Sequence, residues 1–279
     1  MRMPSPTEIT VPQLARLIGT AAMPLILDVR IDEDFALDPA VIPGAVRCHH
    51  QQMLNMSAKL GDRPVVVVCH KGKKLSQGAA AILRSQGVAA ETLAGGHVAW
   101  RESDELLIPA TAIPPSNEQG RTVWVTKQRP KIDRMACPWL IRRFVDAQAQ
   151  FLFVAPSEVL AVAEKFDAIP FDVEDVFWSH RSDNCTFDSM IEEFCLQSDA
   201  LVRLAAIVRG ADTNRHDLTP ESAGLLAISL GLSRMYRDDL EQIDAGMLVY
   251  DALYRWARDA SGESHDWPKR VGGIEPCRP

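Results

Sequence analysis

Four consecutive valines at 65–68 run straight into Cys69, and a short basic loop, HKGKKL at 70–75, follows before a helix-like stretch opens at Ser76. Branched apolar residues without polar alternation suit a strand covered on both faces, the usual environment of a parallel strand. LILDV at 25–29 is a second run of this kind. Helix-like segments at 11–17 and 76–85 alternate with these runs, and another short strand begins at 92–93 before Gly95 and Gly96 halt it. Ser76 is placed to cap the second helix, and Gly87 to end it. Strand and helix in that rhythm predict an α/β layer, a parallel sheet flanked by helices.

The chain has 279 residues, enough for about two domains at roughly 150 residues each. The stretch 109–120, PATAIPPSNEQG, has three prolines and no periodicity, so it reads as a linker. The expected division is therefore 1–108, a linker at 109–120, a second domain at 121–260 and a polar tail at 261–279. Hydrophobic residues make up 47%, which excludes a disordered chain. No apolar run approaches the ~18 residues of a membrane span. The opening MRMPSPTEIT lacks an apolar signal core, so a cytoplasmic location with reduced thiols is expected for the six cysteines.

Past the linker, strands are expected at 122–126 and 151–154. Helices are expected from Asp133 to about 145, with Pro138 inside, and from Ser157, as a cap, to 166. Helical patterns then follow at 187–195, 199–209, 220–230 and 239–258, with Met235 and Met247 read as core. Strands first and helices afterwards predict an α+β, mostly helical domain. Residues 1–116 carry 11 basic and 11 acidic groups, whereas 117–260 carry 16 and 23. That acidic balance speaks against a nucleic-acid partner.

The Cys69 loop carries the clearest chemistry. A strand-to-helix turn aims successive backbone N–H groups at one centre. With Lys71, Lys73 and Lys74 nearby, such a turn favours a thiolate, and Gly72 lets the backbone wrap closely. The result is a pocket for an anionic substrate beside a nucleophile. The competing reading is a buried structural cysteine beside solvated lysines. Cys48, His49 and His50 form a second cluster. Neighbours on a strand face opposite ways, so a lining role fits them better than a shared metal.

LILDVR at 25–30, IPGAV at 42–46, C-x-x-G at 69–72 and LAGGHVAW at 93–100 together resemble the rhodanese-like sulfurtransferase family over residues 6–105. The resemblance implies that Cys69 takes up a sulfane sulfur as a persulfide and passes it to a thiol acceptor. It also implies a substrate-binding loop of His70, Lys71, Gly72, Lys73, Lys74, Leu75 and Ser76, with Asp28 and Arg30 bracing it from behind, and no cofactor. The common family loop reads C-x-x-G-x-R-S. Here Lys74 stands at the arginine and Leu75 is additional, so the pocket should be wider and thiosulfate only a stand-in for the natural donor. A lysine is a point charge and cannot grip an oxyanion in a fork. Leu75 also falls where the related phosphatases carry their C-x5-R arginine, which argues against phosphate-ester chemistry.

KIDRMACPWLIRRF at 131–144, HRSDNCTFD at 180–188, IVRGADT at 207–213 and SAGLLAISLGLSR at 222–234 resemble the C-terminal domain of the chromate-resistance family often called ChrB, over about 122–258. The resemblance implies chromate sensing or resistance, with a metal or oxyanion site. Arg134, Cys137, Arg142 and Cys185 are the oxyanion or redox candidates. Asp133, Asp172, His180 and Asp212 are the candidates for holding zinc or iron. The competing readings are arginines paired with the domain's own carboxylates and a satisfied structural histidine. The expected function is a sulfurtransferase coupled to chromate resistance or redox detoxification, with a sulfur-oxyanion donor, a thiol acceptor and no membrane. A homodimer is left open. The alternatives are a chromate, oxyanion or metal sensor with a catalytically inactive first domain, and a metal-dependent redox enzyme in the second.

Overall fold

The structure, a computed structural model, describes residues 7–54, 60–61 and 63–263. Cys277 and the predicted tail from 264 onward lie outside the described residues.

The first half runs β1 (Glu8–Ile9), α1 (Val11–Ala15), β2 (Leu25–Asp28), α2 (Asp32–Ala36), β3 (Ala40–Val41), β4 (Ala45–Arg47), β5 (Val65–Val68), α3 (Lys74–Ser85), β6 (Ala90–Leu93), α4 (Gly96–Glu102) and β7 (Ile108–Pro109). Five strands form a parallel sheet in the order β1-β6-β5-β2-β4. The four valines are its central strand and are buried throughout, as their lack of alternation requires. Pairing of Asp28 with Val68 places the ends of β2 and β5 side by side. Beyond them lie Arg30 and the Cys69 loop.

The second half runs β8 (Val123–Lys127), α5 (Asp133–Leu140), β9 (Gln150–Val154), α6 (Val159–Lys165), β10 (Ile169–Pro170), α7 (Thr186–Glu193), α8 (Asp199–Asp212), α9 (Ser222–Met235) and α10 (Asp239–Arg255). Its three strands are parallel, in the order β10-β8-β9. The last four helices form the helical lobe. Trp139 sits fully buried at its centre, its ring 5.8 Å from that of Phe144 and 5.6 Å from that of Tyr254.

One apolar core runs through both halves. Ile18 and Trp100 belong to the same cluster as Phe144 and Tyr254. A methyl group added at Gly19 would lie 2.3 Å from the Phe144 ring. Pro109, at the start of the predicted linker, pairs with Ala40 in a short antiparallel ladder between β7 and β3.

Several local expectations need correction. Helix α3 starts at Lys74, so Ser76 lies inside its first turn and is no cap. Ser157 belongs to a 3-10 turn, Pro156–Glu158, and its Oγ bonds Glu158 instead of capping α6. The helix after Asp133 leaves α geometry at Leu140 and continues as a π turn, Ile141–Val145, shortly after Pro138, which has no N–H to give. Met235 is 72% exposed and is not core.

Candidate functional site

The Cys69 loop is held from behind by the glycine pair of the 93–100 motif. His97 N donates to Cys69 O and Val98 N to His70 O, each at 3.0 Å. This close approach works only because both contact surfaces lack side chains. Gly72 and Gly96 have φ of +63° and +64°, a region that L side chains avoid. A Cβ on Gly96 would lie 2.2 Å from Cys69 O and 2.3 Å from Gly72 N, and one on Gly72 would lie 2.5 Å from Leu93 O. Thus C-x-x-G and the glycine pair form one structural unit.

Cys69 Sγ is buried and accepts the Lys73 N–H at 3.3 Å, with Ser76 Oγ at 3.2 Å. Above the thiol is a hollow of about 380 Å³ lined by Asp34, His70, Lys71, Lys73, Lys74 and Leu75 as well as by Cys69. The loop residues expected to bind substrate therefore line the hollow, with Gly72 as their turn and Ser76 facing the sulfur. Asp34 is an addition that the sequence did not mark. It belongs to α2, a five-residue helix too short for periodicity to reveal.

Asp28 and Arg30 have a different task from substrate binding. The Arg30 guanidinium is fully buried, pairs with Asp28 at 2.6 Å, and donates to the carbonyls of Asp38 and Ala40 at 3.0 and 2.6 Å. Its donors are committed to the chain itself, so the pair braces the strand ends. Asp38 continues the brace, bonding His97 Nε2 at 2.6 Å and pairing with Arg101. Burial lowers the His97 pKa, against the pull of Asp38. Cys48 and His49 line a separate hollow of about 450 Å³. Burial pushes the Cys48 thiol up to about 12.

In the second half, four residues from separate segments converge. Asp133 opens α5, Asp212 closes α8, Asp172 follows β10, and His180 comes from the loop before α7. His180 Nε2 lies 3.3 Å from Asp133 Oδ2, 3.4 Å from Asp172 Oδ1 and 3.3 Å from Asp212 Oδ2. The amide of Thr186, first residue of α7, donates to Asp133 Oδ2 at 2.6 Å, and its hydroxyl to Asp172 at 3.0 Å. Burial raises the Asp133 carboxyl to about 6, a rise to which Asp212 and Asp172 add and which His180 opposes. Hydrogen bonds to the three carboxylates push His180 up to about 12.

In the expected oxyanion or redox set of this half, the arginines are taken up by carboxylates and the cysteines are buried beside carboxylates. Arg134 pairs with Asp172 at 3.1 Å. Arg142 pairs with Asp244 at 2.8 Å and lies over the Phe151 ring. Cys137 and Cys185 are buried, and burial together with the carboxylates drives both thiols well above their ordinary range. Three carboxylates at one point repel an oxyanion, so the electrostatics here favour cations.

Residues 10–103 match the family described as Rhodanese-like domain, and residues 124–257 match the family described as ChrB, C-terminal domain. A curated relative, Protein ChrB of Cupriavidus metallidurans, is 29% identical over 217 residues, covering 73% of this chain and 65% of the relative. The match thus spans a little less than two thirds of that protein's length. Among solved structures, a rhodanese-related protein from Thermoplasma volcanium is 20% identical with a TM-score of 0.32, covering 36% of this chain and 96% of that one. A thiosulfate sulfurtransferase from Pseudomonas aeruginosa is 25% identical with a TM-score of 0.31, covering 38% of this chain and 20% of that one. Among the described residues, no helix is long and apolar enough to cross a membrane.

Proposed function

We propose that this chain, which joins a rhodanese-like domain to a ChrB C-terminal domain, is a sulfurtransferase with Cys69 as its sulfur carrier, and that the sulfur it moves serves chromate resistance or redox detoxification. The Cys69 thiolate attacks the outer sulfur of a thiosulfate-like donor. A new S–S bond forms at Sγ, the donor's S–S bond breaks, and sulfite leaves with the electron pair. An acceptor thiolate then attacks the outer sulfur of the persulfide. The acceptor leaves as its own persulfide, and the Cys69 thiolate returns.

The observation that carries this reading is the position of Sγ. It sits at the end of a buried parallel strand, takes a backbone N–H at 3.3 Å, and opens onto a hollow bordered by three lysines. Donors fixed in advance stabilise charge as it develops, without reorganisation. Asp34 shares the hollow, and its carboxylate works against a small dianion. That supports a natural donor other than inorganic thiosulfate. The link to chromate rests on the ChrB C-terminal resemblance and on thiols being the natural reductants of chromate.

The test is to treat the full chain with thiosulfate and inspect the Cys69 peptide by mass spectrometry, then add cyanide or a thiol acceptor. The expected result is one added sulfur at Cys69 and turnover that Cys69→Ser abolishes. An unmodified Cys69 with several donors, or turnover indifferent to Cys69→Ser, would overturn the assignment and leave the inactive receptor as the better reading. Deletion of the gene with no change in chromate sensitivity would sever the link to detoxification.

A further inference from the structure

We propose that Asp133, His180 and Asp212, with Asp172 beside them, form a binding site for one divalent first-row metal cation of the manganese or ferrous-iron kind. The inference is independent of the sulfur chemistry at Cys69.

The distances suit coordination better than hydrogen bonding. One ligand atom from each of Asp133, His180 and Asp212 lies within 4.8 Å of the others. Ligands held at about 2.1 Å from one ion stand roughly 3.0–3.4 Å apart along the edges of its shell. The separations from His180 Nε2 to three carboxylate oxygens are 3.3, 3.4 and 3.3 Å. A charge-assisted hydrogen bond settles nearer 2.7–2.9 Å. The single N–H on Nε2 can serve one acceptor well, not three. As a hydrogen-bond cluster the arrangement is poor, and as the wall of a cation site it is well spaced.

A second observation points the same way. The Asp133 side chain is 1% exposed, yet its Oδ1 has no hydrogen-bond partner. A buried carboxylate oxygen without a donor calls for an ion or a water. Its other oxygen faces His180 and receives the Thr186 amide, so the carboxylate is fixed at the point where the four side chains meet. Arg134 neutralises only Asp172, leaving Asp133 and Asp212 in excess over His180.

The donor set selects the metal class. Carboxylate oxygens with a single imidazole favour harder first-row ions over thiolate-seeking ones. Cys185 Sγ donates to Asp188 at 3.2 Å and also reaches Asp133, so the thiol borders the set without being one of its three ligand atoms, which are oxygen and nitrogen. The His180 side chain is 42% exposed, so one side of the site faces solvent and leaves room for water or an exogenous ligand.

The test uses the full chain, stripped with a chelator and titrated with Mn²⁺ while the electron paramagnetic resonance signal of the free ion is followed. The expected result is one Mn²⁺ per chain and a rise in thermal midpoint on loading. His180→Ala and Asp212→Asn, both at partly exposed positions, should fold and bind at least tenfold more weakly. Cys69→Ser should bind as the wild type does, which separates this outcome from the fate of the sulfurtransferase reading. Failure of the wild type to retain Mn²⁺ or anaerobically supplied Fe²⁺ would overturn the proposal. So would unchanged binding in both ligand variants.

Discussion

Replacing Gly96 by alanine should dismantle the Cys69 loop, and Gly87→Ala provides the comparison that isolates the reason. Both glycines lie at positive φ, +64° and +83°, where an L side chain costs about 1–2 kcal/mol. Around Gly87 nothing lies within 4 Å of an added Cβ, whereas at Gly96 the new atom would meet Cys69 O at 2.2 Å and Gly72 N at 2.3 Å. Both of those atoms are backbone and cannot swing aside. Relief requires α4 to back away from the loop, stretching the His97 and Val98 hydrogen bonds at about 1 kcal/mol each. Repacking the neighbouring core adds roughly 1–2 kcal/mol. The expected cost is about 4–6 kcal/mol for Gly96→Ala against about 1–2 kcal/mol for Gly87→Ala. With a slope of about 3 kcal/mol per M in urea, the midpoints should fall by roughly 1–2 M and 0.5 M respectively. Gly96→Ala should also lose sulfur loading at Cys69 under conditions where most of the protein remains folded. Equal midpoints for the two variants would refute the claim that backbone-to-backbone contact holds the loop.

Three further outcomes follow from the same geometry. Arg30→Met should cost about 3–5 kcal/mol in urea unfolding, because it leaves Asp28 buried without its partner. A cost near zero would show that the pair is not a brace. Burial holds His97 below its ordinary 6.5, so the unfolded chain takes up the proton first. Its contribution should be complete above about pH 6.5 and decline as pH falls below that value. The stability difference between wild type and His97→Asn should therefore shrink from pH 7 to 5, and a difference that grows on acidification would contradict the assignment. Ser76→Ala removes the hydroxyl 3.2 Å from Cys69 Sγ and should slow sulfur loading by about tenfold, the equivalent of ~1.4 kcal/mol. An unchanged rate would remove Ser76 from the site.

What the sequence disclosed depended on how local the cause was. The valine run is legible because burial on both faces is written into adjacent letters, whereas C-x-x-G and the later glycine pair are legible only as separate segments of a family resemblance, and their contact is not. Ser76 is no cap because the number of loop residues between a strand and its helix is not fixed by propensity. The helix begins two residues early, and the hydroxyl turns to the sulfur instead. Arg142 follows the second of its two readings, a carboxylate pair, and no local pattern could name the partner because Asp244 lies 102 residues away. Asp133, His180 and Asp212 lie in three separate motifs, and Asp172 lies outside all of them. Their meeting depends on where α5, α8 and the loop before α7 end, which no periodicity reports. The strained backbone at Ile132, with φ of +22° just before Asp133, could be seen only in the structure.

The two sites have opposite electrostatic characters, and this limits how the halves can cooperate. The hollow at Cys69 is bordered by three lysines and one aspartate, so it gathers anions. The cluster at His180 presents three carboxylates and excludes them. With no cation bound, the two sites would therefore not compete for the same ligand. The halves share an apolar core, where the rings of Phe144 and Tyr254 would crowd any side chain at Gly19, while Cys69 packs in a separate cluster. Arg258 also donates to the carbonyl of Ile18 at 3.5 Å. Filling that contact with Gly19→Ala should shift the stability of both halves together. If one half then unfolded at its original midpoint while the other moved, the shared core would be mere proximity and the sites energetically separate.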